Sequence, residues 1–303
     1  MTLGAVYRAG RGRLRRAGNE SAAFDAGCLF RKAFGLDRQQ RVLHAAEPAG
    51  SAQARRFFAM ARERAAGRPL QYILGEWPFL GLVLEVGEGV LIPREETELL
   101  ARTAAEMLAG EKAPLFADLG SGAVALGVAS LVPGARAAAL EKYPAALRYL
   151  KRNVARAGLA GVRAVEADVL DPAAAERMPA LDGVFANPPY VRAGEIPGLQ
   201  EEVRREPREA LDGGPDGLRF YRAVARLWLP RLKPGGAAAV EVGDGQAGAV
   251  CRLFSEALEG ISVRRDFSGV ARVVAGRRRT ASVGRGKNKK PALPGRDKTA
   301  PEA

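Results

Sequence analysis

Residues 115–122, LFADLGSG, combine a short apolar run, an acid and a glycine-rich turn, and the apolar segment AVALGVAS follows at 123–130. Glycines after a strand permit a tight turn and let a ligand approach the backbone closely. The N-terminus of the helix that follows favours negative charge. The stretch therefore predicts a strand, a turn and a helix, with a candidate ligand-binding site at the turn.

Alternating strand and helix patterns continue downstream of this turn. Pro144 is suited to begin a helix and Gly158 to end one, and residues 261–265 and 270–274, joined by the turn DFSG, predict an antiparallel pair. The predicted parallel strands lie at 115–118, 136–141, 162–167, 181–186 and 237–242. This alternation predicts an α/β fold with a doubly wound, mainly parallel seven-stranded sheet. The ligand site is expected beyond the carboxyl ends of the first, second and fourth strands.

The rest of the chain divides by composition. Residues 1–75 have helical periodicity and predict a small N-terminal helical domain, and residues 76–93 are β-rich with several glycines and predict a β-hairpin linker. Residues 94–277 contain the α/β domain. Residues 278–303 are rich in Gly, Pro, Ser and Lys, which predicts a basic disordered tail.

The composition also excludes some classes of function. Two cysteines and one histidine supply neither a zinc cluster nor a disulfide framework, so we expect no metal site. The sequence contains no run of about eighteen apolar residues, the length needed to span a bilayer. Its basic start lacks the apolar segment of a secretory signal, and we therefore expect a cytoplasmic protein.

The net charge of +13 is concentrated at the two ends of the chain. Residues 1–16 contain five arginines and no acid, and residues 277–303 contain nine basic residues and two acids. Such ends increase solubility, and they also favour salt-sensitive, sequence-independent contact with RNA or the ribosome. Both interpretations remain open at the level of sequence.

Two acidic residues stand at the ends of predicted strands. Glu141 ends the second strand 21 residues after Gly120, which is the spacing at which an acid binds both ribose hydroxyls of a nucleotide-like ligand. Asp168 follows the third strand, where a carboxylate can accept a hydrogen bond from an adenine amino group; a solvated loop carboxylate is an equally good interpretation. Together with the glycine turn, Glu141 indicates an adenosine-containing ligand.

The most informative motif is Asn187-Pro188-Pro189-Tyr190, directly after the fourth predicted strand. Two consecutive prolines remove two backbone donors and fix φ, so carbonyl groups in this loop are left without local N–H partners. The side-chain oxygen of Asn187 and the carbonyl of Pro188 can accept the two hydrogens of a planar NH₂ group, while Tyr190 packs on its face. The motif therefore predicts a site for an amide or an exocyclic amine.

The motif, the glycine turn and Glu141 are similar to those of class I methyltransferases that use S-adenosyl-L-methionine. More narrowly, the chain resembles the peptide chain release factor glutamine methyltransferases over about residues 6–277. The stretches that carry this resemblance are FDAGCLF (24–30), GRPLQYILGEWPF (67–79), VLIPREETELL (90–100), NPPYV (187–191), EPREALDGGPDGLRFYR (206–222) and RDFSGVARVVAGR (265–277).

The resemblance implies methylation of N5 of the glutamine in the Gly-Gly-Gln motif of release factors, with the N-terminal domain holding the release factor. It implies catalytic roles for Asn187, Pro188 and Tyr190, which with Pro189 also bind the substrate. It implies that Glu141 binds the ribose and that Asp168 and Val169 bind the adenine. The remaining implied cofactor-binding residues are Asp118, Gly120, Ser121, Gly122 and Asn187.

One departure from the family pattern keeps two alternatives open. Only four residues, LGSG (119–122), separate Asp118 from Ala123, so this glycine loop is about two residues shorter than that of the family. A catalytically silent protein that keeps the fold and binds a translation factor is one alternative, because a shortened loop affects cofactor binding. The other is an N6-adenine methyltransferase of RNA or DNA, since the NPPY loop alone is found in both classes.

Overall fold

The computed structural model describes residues 1–120 and 122–280, and the polypeptide begins with a group of five helices. The helices of the chain are α1 (Leu3–Arg16), α2 (Ala22–Phe34), α3 (Arg38–Leu43), α4 (Ser51–Ala65), α5 (Leu70–Leu74), α6 (Glu95–Leu108), α7 (Ala123–Leu131), α8 (Pro144–Ala157), α9 (Pro172–Glu176), α10 (Glu201–Arg204), α11 (Arg219–Ala223) and α12 (Ala247–Phe254). The strands are β1 (Glu76–Phe79), β2 (Leu82–Glu85), β3 (Leu115–Asp118), β4 (Arg136–Glu141), β5 (Val162–Glu166), β6 (Leu181–Ala186), β7 (Leu232–Glu241), β8 (Leu258–Arg265) and β9 (Ala271–Arg278).

The N-terminal helices pack around an aromatic core. Thr2 caps α1 by accepting a hydrogen bond from Ala5 N, and Gly35 ends α2 in the left-handed conformation. Phe30 and Phe57 are fully buried, with ring centroids 5.6 Å apart. Gly10 allows α1 to approach α4, because a Cβ at this position would lie 2.3 Å from the Phe57 ring.

Seven strands form the sheet in the order β5-β4-β3-β6-β7-β9-β8. The first five are parallel, whereas β9 is antiparallel to both β7 and β8. This arrangement confirms the predicted mainly parallel seven-stranded sheet. The bounds of β3, β4 and β6 agree with the prediction, whereas β7 begins at Leu232, five residues before the predicted start at 237.

Apolar clusters cover both faces of the sheet, as a doubly wound fold requires. On one face α6, α7 and α8 pack over Phe116 and Phe185. On the other face Tyr221, Trp228 and Phe254 are completely buried. Among the described residues, no helix has both the length and the apolar character needed to cross a membrane.

The segment predicted as a linker consists of the short β1–β2 hairpin and the irregular residues 86–93. Asn153 of α8 anchors the hairpin, because its side chain accepts a hydrogen bond from Glu85 N and donates one to Glu85 O. Arg64 of α4 connects the helical part to the α/β part through ion pairs with Asp25 and with Glu202 of α10. The predicted basic tail begins at residue 278, but Arg278 is the last residue of β9, and residues 281–303 lie outside the described part of the chain.

Candidate active site

A cavity of about 420 Å³ lies at the carboxyl ends of β3, β4, β5 and β6. This is the edge of the sheet at which the sequence predicted a ligand site. The predicted site residues that line the cavity are Gly120, Glu141, Asp168, Val169, Asn187 and Pro189. The topology of the sheet thus brings together residues that are up to 69 positions apart in the sequence.

Glu141 lies at the carboxyl end of β4 and is 9% exposed. Its Oε1 accepts a hydrogen bond of 2.7 Å from Tyr143 N. Burial raises the pKa of this carboxyl group, and backbone hydrogen bonds from Tyr143 and Lys142 act in the opposite direction. The carboxylate is therefore held in one orientation at the cavity wall, with acceptor capacity for hydroxyl groups of a ligand.

Asp168 and Val169 form another part of the wall. Desolvation opposes ionisation of Asp168, but hydrogen bonds from Lys142 Nζ at 2.8 Å and from Leu170 N at 2.9 Å outweigh it and lower the pKa of the carboxyl group. The carbonyl of Val169 accepts a hydrogen bond of 2.9 Å from Trp228 Nε1. These contacts fix the backbone that would face an adenine ring.

Two predicted cofactor residues do not line this cavity. Asp118 is 1% exposed and accepts a hydrogen bond from Ala125 N at 2.8 Å, so it caps α7. Burial raises its pKa to about 7. Gly122 has a φ of 87°, and a Cβ there would lie 2.1 Å from Leu150 Cδ1. Both residues hold the turn in place, and Ser121 lies outside the described residues.

The side chain of Asn187 is oriented by a contact with α6. Its Nδ2 donates a hydrogen bond of 2.9 Å to Thr97 Oγ1, which leaves Oδ1 as an acceptor at the cavity. Pro188 is buried, and its carbonyl accepts no hydrogen bond from the residues that the structure describes. The loop of residues 187–190, called the corner below, thus has two oxygen atoms without a donor among the described residues, Asn187 Oδ1 and the Pro188 carbonyl, although Pro188 itself lines neither of the two cavities.

Tyr190 is held on the far side of the corner. Its carbonyl accepts a hydrogen bond of 2.9 Å from Gln246 Nε2, and its Oη lies 3.5 Å from Glu241 Oε1. Burial, followed by the negative charge of Glu241, raises the pKa of the phenol above its ordinary value. Tyr190 therefore stays neutral and acts by packing and hydrogen bonding.

A second cavity, of about 410 Å³, lies between the N-terminal helices and the α/β domain. Asn187 and Leu91 line both cavities. The other residues around the second cavity include Pro69, Gln71, Ile92, Arg94, Tyr190, Glu202 and Glu206. Asn187 is therefore placed where two ligands, one in each cavity, would meet.

Glu206 shapes the wall of this second cavity. It is 5% exposed, accepts a hydrogen bond of 3.0 Å from Ile92 N and forms an ion pair with Arg94. Burial raises the pKa of the carboxyl group, while the charge and hydrogen bonds of Arg94 and Ile92 act against this shift. The segment before α6 is thereby fixed to the segment after α10.

Sequence reasoning missed the buried partners of the Asn187 corner. Thr97 Oγ1 donates a hydrogen bond of 2.7 Å to Glu241 Oε2, and both residues are 2% exposed. Thr97 lies in the IPREETE segment, which contributed to the family resemblance without any role assigned to the threonine. Glu241 ends β7, and an acid at the carboxyl end of a sheet strand was the available signal for it.

The residues of the first cavity fit S-adenosyl-L-methionine. A buried carboxylate with acceptor capacity suits ribose hydroxyls, and a second acid with a fixed backbone segment suits adenine. Gly120 has no side chain, so a ligand can approach its backbone closely. A Cβ at this position would lie 3.6 Å from Asn187 O, between the glycine turn and the corner. The donor and acceptor set thus matches the chemistry of this cofactor.

Comparison with known proteins identifies relatives along most of the chain. Residues 5–75 match the PrmC N-terminal domain family. The release factor glutamine methyltransferase of Moorella thermoacetica is 40% identical over 241 residues, which cover 78% of this chain and 84% of that protein. The same enzyme of Geobacter sulfurreducens is 37% identical over 269 residues, 88% of this chain and 93% of that protein.

Among solved structures, the hMettl16 catalytic domain superposes with a TM-score of 0.52 at 14% identity, covering 74% of this chain and 81% of that chain. At this identity the similarity indicates a shared fold only. The identity to curated relatives over most of their length is the finding that assigns the family. The chain therefore belongs to the release factor glutamine methyltransferase family.

Proposed function

We propose that this protein transfers a methyl group from S-adenosyl-L-methionine to the side-chain amide nitrogen, N5, of the glutamine in the Gly-Gly-Gln motif of peptide chain release factors. The observation that carries the proposal is the position of Asn187, which lines both cavities and whose Oδ1 remains an acceptor. Family membership supports the same activity over the adenine-directed and the silent alternatives.

Within this proposal, Glu141 holds the ribose, Asp168 and Val169 the adenine, and Gly120 the methionine portion of the cofactor. The cofactor supplies a methyl group activated by its bond to a sulfonium. Asp118 and Gly122 act indirectly by keeping the turn and α7 in position. The second cavity, with walls from both domains, receives the glutamine loop of the release factor.

A neutral carboxamide nitrogen is a poor nucleophile because its lone pair is delocalised into the carbonyl group. Asn187 Oδ1 and the Pro188 carbonyl accept its two hydrogens and so turn the nitrogen toward the methyl group. Positioning of this kind contributes on the order of 7–11 kcal/mol to rate acceleration. The two acceptors also stabilise the positive charge that develops on nitrogen, and the methylated amide then releases its extra proton to water.

The proposal is tested by incubating the purified protein with labelled S-adenosyl-L-methionine and either purified release factor or total RNA. We expect one methyl group on the glutamine of the Gly-Gly-Gln motif, located by peptide mass spectrometry. Label in RNA alone would support the adenine alternative. Absence of label together with absence of cofactor binding in calorimetry would support the silent protein.

We also propose a weak contact between the N-terminal helices and ribosomal RNA. All five arginines of α1 are exposed, and none forms an ion pair within the part of the chain described here. Charged groups of this kind bind a phosphate backbone without sequence specificity and release bound counterions. Release factors act on ribosomes, so we place the protein in the cytoplasm. Ribosome co-sedimentation that disappears at high salt tests this contact.

A further inference from the structure

The hydrogen bonds behind Asn187 form a chain with a defined direction. Asn187 Nδ2 donates to Thr97 Oγ1, and Thr97 Oγ1 donates to Glu241 Oε2. A threonine hydroxyl has one hydrogen to give. Because that hydrogen goes to the Glu241 carboxylate, the hydroxyl can only accept from Asn187. The amide NH₂ must therefore face Thr97, and its oxygen must face the cavity.

The donor and acceptor chemistry of these three side chains gives the hydrogen bonds the same direction as the structure does. An asparagine oxygen and nitrogen are assigned from their hydrogen-bond partners. An ionised carboxylate only accepts hydrogen bonds, so it imposes the same direction on both preceding groups. Glu241 therefore determines which end of the Asn187 amide meets the substrate.

We propose that Glu241 and Thr97 are positioning residues that orient the Asn187 amide for glutamine binding, and that protonation of Glu241 reverses this orientation. A protonated Glu241 donates to Thr97, and the Thr97 hydroxyl then donates to Asn187 Oδ1. The NH₂ group of Asn187 would turn toward the cavity, where it cannot accept a hydrogen from the substrate amide. This inference rests on the proposed function.

The surroundings of Glu241 place this reversal near neutral pH. Burial raises its pKa to about 7, and the hydrogen bond from Thr97 acts in the opposite direction. Among the charges, Glu96 raises the pKa and Arg272 and Arg94 lower it. The groups that face the carboxyl are Arg94 and Glu96 from the start of α6, Arg272 from β9, Tyr190 from the corner and Tyr221 from α11.

Turnover depends on pH through the charge of Glu241. The accepting orientation requires the ionised carboxylate, which predominates above the pKa of about 7. Turnover is therefore expected to fall as the pH decreases through this value. An ordinary glutamate, with its pKa near 4.3, would leave turnover unchanged in this range.

The first test removes the Thr97 hydroxyl, which lies between Asn187 and Glu241. Thr97→Val keeps the shape of the side chain and removes the hydroxyl that joins Asn187 to Glu241. We therefore expect kcat to fall about 10- to 100-fold with little change in cofactor affinity. Thr97→Ser restores the hydroxyl and is expected to recover kcat to within about threefold of wild type. Thr103→Val is the matched control, because Thr103 is equally buried in α6 but its hydroxyl donates to Leu99 O.

The second test removes the titration. In Glu241→Gln we expect a lower kcat that decreases less than in the wild-type protein when the pH is lowered through about 7, because Asp118 still titrates in this range. An independent readout is the side-chain amide signal of Asn187 in ¹H–¹⁵N NMR spectra, identified by its loss in Asn187→Ala. This signal is expected to titrate with the same midpoint in the wild-type protein and to be insensitive to pH in Glu241→Gln.

Equal kcat values for Thr97→Val and Thr103→Val would overturn the inference, and so would an Asn187 amide signal that titrates in Glu241→Gln as it does in the wild-type protein. A failure of the proposed function is distinguishable from these results. In that case the wild-type protein methylates no release factor, while the NMR titration of Asn187 still reports whether Glu241 sets the amide orientation.

Discussion

The two cavities that meet at Asn187 are built in different ways. The first is formed by residues at the carboxyl ends of the strands, such as Glu141 and Asp168, together with residues of the segment 207–212. The second is enclosed by segments from both domains and held by ion pairs such as Arg64–Glu202, between residues 138 positions apart. The first cavity thus depends on sheet topology, whereas the second depends on how the two domains pack.

The largest expected effect separates chemistry from cofactor binding. Asn187→Ala removes an acceptor for the substrate amide, and we expect kcat to fall by about 100- to 1,000-fold. Because Glu141 and Asp168 remain in place, the dissociation constant for S-adenosyl-L-methionine should stay nearly unchanged in calorimetry. A parallel loss of cofactor affinity would contradict the assignment of Asn187 to the substrate side.

A second effect tests the packing on which the second cavity depends. The side chains of Arg64 and Asp25 are 6% and 5% exposed, so Arg64→Met leaves a buried carboxylate without its cationic partner and with the hydrogen bond from Asn19 Nδ2. We expect the free energy of unfolding of the helical part to fall by about 3 kcal/mol in urea denaturation, and KM for release factor to rise. Arg62→Met is the control, because Arg62 lies on the same helix and is exposed. Equal stability of the two variants would contradict this account.

A third, smaller effect concerns the first cavity alone. Glu141→Ala removes the acceptor assigned to the ribose, and we expect the dissociation constant for S-adenosyl-L-methionine to rise about 10- to 100-fold. Binding of release factor, measured by surface plasmon resonance without cofactor, should be unchanged. If release factor binding weakened as much as cofactor binding, the two cavities would not be independent.

The smallest effect is expected at the rim of the first cavity. Lys142 forms an ion pair with Asp168 while its own side chain is 53% exposed. Ion pairs at the surface are screened by solvent and contribute little, so Lys142→Ala should change cofactor affinity by less than about fivefold. A larger loss in the same calorimetric assay would indicate that Lys142 itself contacts the ligand.

Much of the first cavity was predictable from the sequence because strand ends carry its residues. The strand bounds of β3, β4 and β6 and the positions of Glu141, Asp168 and Asn187 all follow from local patterns. Family membership confirms the resemblance that those patterns and the NPPY motif suggested.

The remaining features depend on tertiary contacts that local patterns do not encode. Asp118 and Gly122 share the glycine turn with Gly120, yet one caps α7 and the other packs against Leu150. The Thr97–Glu241 hydrogen bond joins residues 144 positions apart, and neither has a distinctive motif of its own. Sequence spacing identifies residues near a turn, whereas only the fold shows which of them face the ligand.

The most direct test of the central claim is a crystal structure with S-adenosylhomocysteine and a peptide containing the Gly-Gly-Gln motif. We expect the nucleoside at Glu141 and the glutamine amide nitrogen about 2.9 Å from both Asn187 Oδ1 and the Pro188 carbonyl. A glutamine bound away from this corner, or a nucleoside outside the first cavity, would contradict the account.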